Sequence, residues 1–123
     1  MNSKQNRGRT AYHAGVAAED SVAQHYMRSG LPVLARRWRG LSGEIDLVVQ
    51  DGDGLVFIEV KKSRSHAQAA TMLSQRQLQR IYGAGTEFLD TQPKGQLTDI
   101  RFDLACVDST GAISIIENLS MMA

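Results

Sequence analysis

Two carboxylates and a lysine stand close together in the middle of the chain. Asp46 lies in Glu44-Ile45-Asp46-Leu47-Val48, and Glu59 and Lys61 lie in Phe57-Ile58-Glu59-Val60-Lys61. Between them runs Asp51-Gly52-Asp53-Gly54, a strong signal for a β-hairpin turn. Whether Gly52 and Asp53 are the central pair or the whole of 51–54 is the loop, Gln50 faces Leu55, and the register carries Asp46 opposite Glu59 and Glu44 opposite Lys61. Directly opposed side chains have Cβ atoms roughly 4.5–5.5 Å apart, so two carboxylates placed this way repel. A hard divalent cation, Mg²⁺ or Mn²⁺, relieves that repulsion, because Mg²⁺ binds a few carboxylates together with water and phosphate oxygens. Lys61 beside the pair supplies a positive charge for a phosphate. These are the parts that metal-assisted hydrolysis of a phosphodiester needs. The competing reading is a surface salt link, with Asp46 and Glu59 in solvent and Lys61 between them. An isolated Glu-x-Lys would not separate the two readings. The apolar strands and the opposed register favour the chemical one.

The same register sorts the hairpin into two faces. Ile45 with Val60, Leu47 with Ile58 and Val49 with Val56 form a wholly apolar face that must be buried. The other face carries Val48 and Phe57 near the turn and the charged residues at the far end. A helix, taken to be the first, is expected to cover Val48 and Phe57 and to bring Glu19 to the edge of the carboxylate pair.

The elements around the hairpin follow from periodicity. Residues 1–10, with Lys4, Arg7 and Arg9, read as a flexible basic arm. Ala11, Ala14, Ala18, Val22 and Tyr26 recur at helical spacing and predict a helix over 11–29, ended by Gly30. Strands are predicted over 31–38, 44–50 and 55–61, a second helix over 67–89, a loop over 93–98, and strands over 100–107 and 112–117 joined by a turn at 108–111. Gly83 and Gly85 weaken the end of the second helix. The order α-β-β-β-α-β-β, with a crossover from Leu55 through the second helix to Val107, implies a mixed α/β sheet of about five strands flanked by helices.

A chain of 123 residues with 42% hydrophobic content suits one domain, placed at 11–119 with a short tail at 120–123. Met121 and Met122 belong to that tail. No apolar run is long enough for a bilayer and the polar start is no secretory signal, so the cytoplasm is expected. The lone Cys106 sits in an apolar stretch and reads as a buried strand thiol. His13, His25 and His66 lack metal-ligand spacing, which argues against zinc. There is no Walker loop and no dinucleotide fingerprint. Residues 1–80 hold twelve Lys or Arg against seven Asp or Glu, and residues 81–123 hold two against six. That asymmetry fits a basic face for a polyanion, although a mixed solvated surface would give the same counts. Arg36, Arg37 and Arg39 lead into the hairpin, and Lys62 and Arg64 lead out. Such side chains contact nucleic-acid phosphates. Trp38 could stack on a base but reads more simply as core.

The pair Gly43-Glu44-Ile45-Asp46-Leu47-Val48 and Leu55-Val56-Phe57-Ile58-Glu59-Val60-Lys61 resembles the core of the YraN family of bacterial endonuclease-like proteins. That family lies in the PD-(D/E)xK nuclease superfamily and is similar to archaeal Holliday-junction resolvases. Leu34-Ala35-Arg36-Arg37-Trp38-Arg39 and Arg101-Phe102-Asp103-Leu104 extend the resemblance over about residues 11–108. It implies a restriction-endonuclease-like fold, Asp46 and Glu59 as metal-binding acids, and Lys61 as the catalytic lysine. Glu19, by itself a helix-flank acid, would be an accessory acid that orients water or metal. Arg80-Ile81 aligns with the family's Arg-Ile or Arg-Leu pair, which puts Gln77 at its polar helix position, with Gln75 there if the register slips. Gly83, Gly85 and Lys62-Ser63 depart from the family pattern. The expected function is a metal-dependent nuclease acting on DNA, branched or single-stranded. The alternative is a non-catalytic nucleic-acid-binding or nuclease-partner module on the same fold. A homodimer, as in resolvases that cut two strands symmetrically, is allowed, though no segment marks an interface.

Overall fold

The computed structural model describes residues 3–62 and 73–119, with side chains from Gly15 onward. Helix α1 spans Ser3–Arg28, so it begins inside the segment read as an arm. Its end is built as the sequence predicts. Gly30 takes φ 85°, its N–H reaches Met27 O, and the N–H of Leu31 reaches Tyr26 O. This double capture of the last carbonyls needs a left-handed residue, which glycine adopts without strain.

Five strands follow the expected order: β1 (Val33–Arg39), β2 (Glu44–Asp51), β3 (Gly54–Lys62), β4 (Ile100–Val107) and β5 (Ile113–Ile116). Helix α2 (Gln75–Leu89) and a 3₁₀ turn (Gly95–Leu97) lie between β3 and β4. The sheet order is β1-β2-β3-β4-β5. All neighbours are antiparallel except β3 and β4, the parallel pair that α2 connects. The hairpin register is the predicted one, from Asp51↔Gly54 through Gln50↔Leu55 to Leu47↔Ile58. The turn at 108–111 is also as read, with Asp108 Oδ1 accepting from the N–H groups of Thr110 and Ala112.

Two apolar layers sandwich the sheet. Ala18, Val22, Ala23 and Tyr26 of α1 pack on Leu47, Val49, Val56, Ile58, Ala105 and Val107. Ile81, Ala84, Phe88 and Leu89 of α2 pack on Ile45, Val48, Leu55, Phe57 and Phe102. Because Leu55 and Phe57 alternate with Val56 and Ile58 along β3, the helices cover opposite faces. The expectation that the first helix covers Val48 and Phe57 is therefore corrected: α2 does so. The fit explains the choice. Small and β-branched residues mate α1 to its face, whereas Gly85 gives the aromatic face room. A Cβ at Gly85 would stand 3.1 Å from Phe57 and Phe102 ring carbons.

The start of the second helix is also corrected. Ser74 is the N-cap, with its hydroxyl accepting from Gln77 N–H and the Gln77 carboxamide accepting from Ser74 N–H. The helix thus starts eight residues later than the predicted 67, and residues 63–72 lie outside the described ones. Trp38 packs edge-on against Phe88 at 5.3 Å, as a core residue rather than a base-stacking platform. Cys106 is fully buried, and burial pushes its thiol up. Among the described residues, no helix is long and apolar enough to cross a membrane.

Candidate active site

Strand alternation fails in each of two neighbouring strands: in β1 between Val33 and Ala35 and again at Arg37, and in β2 near Asp46. In β1, Arg37 has φ 50°, a left-handed conformation that costs a branched or long side chain on the order of 1–3 kcal/mol. The consequence is visible on either side. Arg36 and Arg37, which a regular strand would point to opposite faces, both reach α1 acids, Asp20 and Glu19. Trp38 then turns to the α2 layer. Across the ladder, Arg36↔Leu47 and Trp38↔Ile45 place Arg37 opposite Asp46. Alternation breaks there too, since Leu47 faces α1 while Ile45 joins the α2 layer. The expected pairing of Ile45 with Val60 on one face is thereby corrected.

This double irregularity presents Asp46. The β2–β3 ladder runs only as far as Leu47↔Ile58. Beyond it the Asp46 carboxylate accepts from Val60 N–H at 2.8 Å, replacing the acceptor that a strand neighbour would offer. The Asp46 and Glu59 carboxyls lie close enough to interact, just beyond the last pair of the ladder. Lys61 Nζ stands 3.6 Å from Glu59 Oε1, and the two side chains are only 19% and 16% exposed. Burial and then the Asp46 charge push the Glu59 carboxyl up to about 8, with Lys61 opposing. Asp46 is also raised, first by burial; the Val60 N–H opposes this, and the Glu19 and Glu44 charges add to it. At neutral pH the pair therefore retains a proton.

Glu19 reaches the edge of this group from α1, the opposite side to the covering helix, and its carboxylate accepts from Arg37 Nε at 2.9 Å. Asp46, Glu59, Lys61, Glu19 and Arg37 are thus brought together. Gln77 is not part of this group: its carboxamide closes the α2 capping box. Gln75 is the first residue of that helix. Arg36 is held by Asp20, and Arg39 by Glu44 at 3.2 Å. Lys62 is exposed beside a shallow cavity of about 270 Å³ that Ala17, Ser21 and the 108–111 turn also line. Arg64 and His66 lie outside the described residues, His25 is exposed, and no side chain is described at His13.

Sequence reading missed Arg37 as a structural element of the site. An arginine in a left-handed strand position leaves no signature, because the usual marker there is glycine. It also missed Glu87, whose carboxylate accepts from the N–H groups of Leu41 and Ser42 and so fixes the loop that leads into β2. The Ser42 hydroxyl first, and then these two N–H groups, hold the Glu87 carboxyl below its ordinary value.

The family model described as "Uncharacterised protein family UPF0102" matches residues 18–107, a segment that contains Glu19, Arg37, Asp46, Glu59 and Lys61. The chain belongs to the UPF0102 family. A UPF0102 protein of Cereibacter sphaeroides strain KD131 is 62% identical over 111 residues, covering 90% of this chain and 95% of that protein. One from Ruegeria pomeroyi is 50% identical over 118 residues, covering 96% of each. One from Roseobacter denitrificans is 50% identical over 117 residues, covering 95% of this chain and 91% of the relative. UPF0102 is the YraN-like family, so the resemblance read from the paired motifs holds at the level of family.

Proposed function

We propose that this UPF0102 chain is a phosphodiester hydrolase of the PD-(D/E)xK type on a restriction-endonuclease-like fold, acting on branched or single-stranded DNA with Mg²⁺ or Mn²⁺. The observation that carries the reading is the convergence of two largely buried carboxyls, Asp46 and Glu59, with Lys61 at 3.6 Å, where the hairpin ladder ends. A fold has no stability reason to oppose two acids there, since the apo protein must retain a proton to tolerate them.

The donor set fits a hard cation. Among the described residues no group of three or more His, Cys, Asp or Glu could hold a metal ion. Two carboxylates suffice for Mg²⁺, which keeps water and takes phosphate oxygens for its remaining positions. When bound, the cation supplies Lewis-acid stabilisation of the phosphate. The chain's own residues do the rest. Asp46 is fixed by Val60 N–H and holds one side of the site, while Glu59 holds the other once the pair gives up its proton. Lys61, freed from Glu59, stabilises negative charge on the phosphate.

The test is incubation of the purified protein with branched, duplex and single-stranded DNA in Mg²⁺, Mn²⁺ or EDTA. Cleavage is expected with either cation and not with EDTA, and it disappears in Asp46→Asn and Glu59→Gln. Cleavage in EDTA, or equal cleavage by a neutralised variant, overturns the proposal. DNA binding without cleavage under every condition favours the non-catalytic binding module instead. A homodimer belongs to the same reading, and the mass of the protein in solution checks it.

A further inference from the structure

Two side chains with natural roles in the proposed reaction occupy each other. Glu19 stands close enough to Asp46 for its charge to act there, and Arg37 lies opposite Asp46 across the β1–β2 ladder. Arg37 Nε donates to Glu19 Oε2 at 2.9 Å, with Glu19 16% and Arg37 36% exposed. Arg37 is also held at φ 50°, where a non-glycine residue is costly. A surface ion pair does not require such a backbone. The neighbouring Arg36–Asp20 pair joins the same two elements and already ties β1 to α1.

We propose that the Glu19–Arg37 ion pair is an exchange contact: a substrate phosphate takes the Arg37 guanidinium, and Glu19 is released toward the Asp46–Glu59 pair to help hold the cation. This deepens the proposed function and rests on it. Charge makes the exchange conditional. Releasing Glu19 beside two carboxyls is unfavourable without a divalent ion, and withdrawing Arg37 from Glu19 is unfavourable without an anion to replace it. The phosphate and the cation therefore bind with positive coupling, and by linkage each raises the affinity of the other by the same factor. A chain working this way keeps a low affinity for the free cation and completes its site only on a polyanion.

The experiment is calorimetric titration of Ca²⁺, alone and with a saturating single-stranded oligonucleotide, using Ca²⁺ to permit binding while suppressing cleavage. In the wild type the oligonucleotide is expected to tighten Ca²⁺ binding by about tenfold or more. Arg37→Gly keeps the left-handed backbone and frees Glu19. It should bind Ca²⁺ alone about tenfold more tightly than wild type and lose most of the further gain from the oligonucleotide. Its melting temperature should be unchanged or higher, because glycine relieves the φ 50° strain. Arg37→Lys retains an ion-pairing cation and should keep part of the coupling. Glu59→Gln separates the two levels of the argument. If it leaves Ca²⁺ affinity untouched, the carboxylate site itself is wrong. If Glu59→Gln weakens Ca²⁺ but Arg37→Gly matches the wild type with and without oligonucleotide, the exchange is wrong and the site stands. Wild-type protein that binds no Ca²⁺ in either condition overturns both.

Discussion

The two ends of the β2–β3 hairpin carry the same kind of side chain and treat it in opposite ways. At the turn, Asp51 and Asp53 are exposed, and each has a cation nearby: Arg101 Nη1 at 3.7 Å and Lys94 Nζ at 3.6 Å. At the open end, Asp46 and Glu59 are turned toward each other, with Lys61 nearby and a proton retained between them. Acids beside apolar strands do not by themselves mark a site. The backbone decides: the register is regular at the turn, whereas beyond Leu47↔Ile58 a side chain replaces a ladder partner.

The sharpest way to break the comparison is catalytic. Asp46→Asn and Glu59→Gln should each reduce Mg²⁺-dependent DNA cleavage by roughly 100-fold or more. Asp51→Asn and Asp53→Asn should leave it within about twofold of wild type, as exposed ion pairs this far from the chemistry contribute little to either binding or fold. Initial rates on one DNA substrate decide the matter, and equal losses at both ends would abolish the distinction.

Mg²⁺ at a hundredfold excess over its dissociation constant should stabilise the wild type by about 2.7 kcal/mol and should not stabilise Glu59→Gln comparably. Urea denaturation with and without the ion measures this. Binding near pH 7 should also release protons, since the carboxyl held up to about 8 must ionise to take the ion.

Without metal, the pH dependence has a definite sign. Folded Glu59 titrates at about 8 against an ordinary 4.5, so the folded state binds a proton that the unfolded chain gives up between these values. Stability should therefore fall as pH rises from about 4.5 to about 8. Glu59→Gln should flatten this slope and be roughly 1–3 kcal/mol more stable than wild type above pH 8. Asp51→Asn should preserve the slope and change stability by no more than about 0.5 kcal/mol. A slope that survives Glu59→Gln would mean the open end is as relaxed as the turn.

Much of this was legible because a two-residue turn fixes parity. Once Gly52 and Asp53 are placed, the partner of every residue from Gln50 to Leu47 follows. Gly30 announced the end of α1, and the Asp108 turn announced the final hairpin. Parity stops being informative where the chain departs from it. Nothing in Arg36-Arg37-Trp38 says that the middle residue is left-handed, so the shift of Ile45 to the α2 layer was invisible. The choice of covering helix was unreadable for a related reason: Gly85 looked like a helix weakness, and only the neighbouring Phe57 and Phe102 rings give it a purpose. Ser74 and Gln77, in contrast, spell a capping box that could have fixed the start of α2.

The sheet order has a consequence in time. Three of the four neighbouring strand pairs are joined by a short connection, but in the fourth Leu55 pairs with Ile100 and Lys62 with Val107, each forty-five positions apart. Hairpins close in microseconds, whereas a parallel pair must wait for its long connection to be ordered first. The β2–β3 arm can therefore form early with its acids still in water. Glu59 loses water when β4 docks beside it, so the barrier to that step should carry a cost of desolvating the pair. Refolding should then be slower at pH 9 than at pH 6, and the difference should disappear when Glu59 is replaced by glutamine.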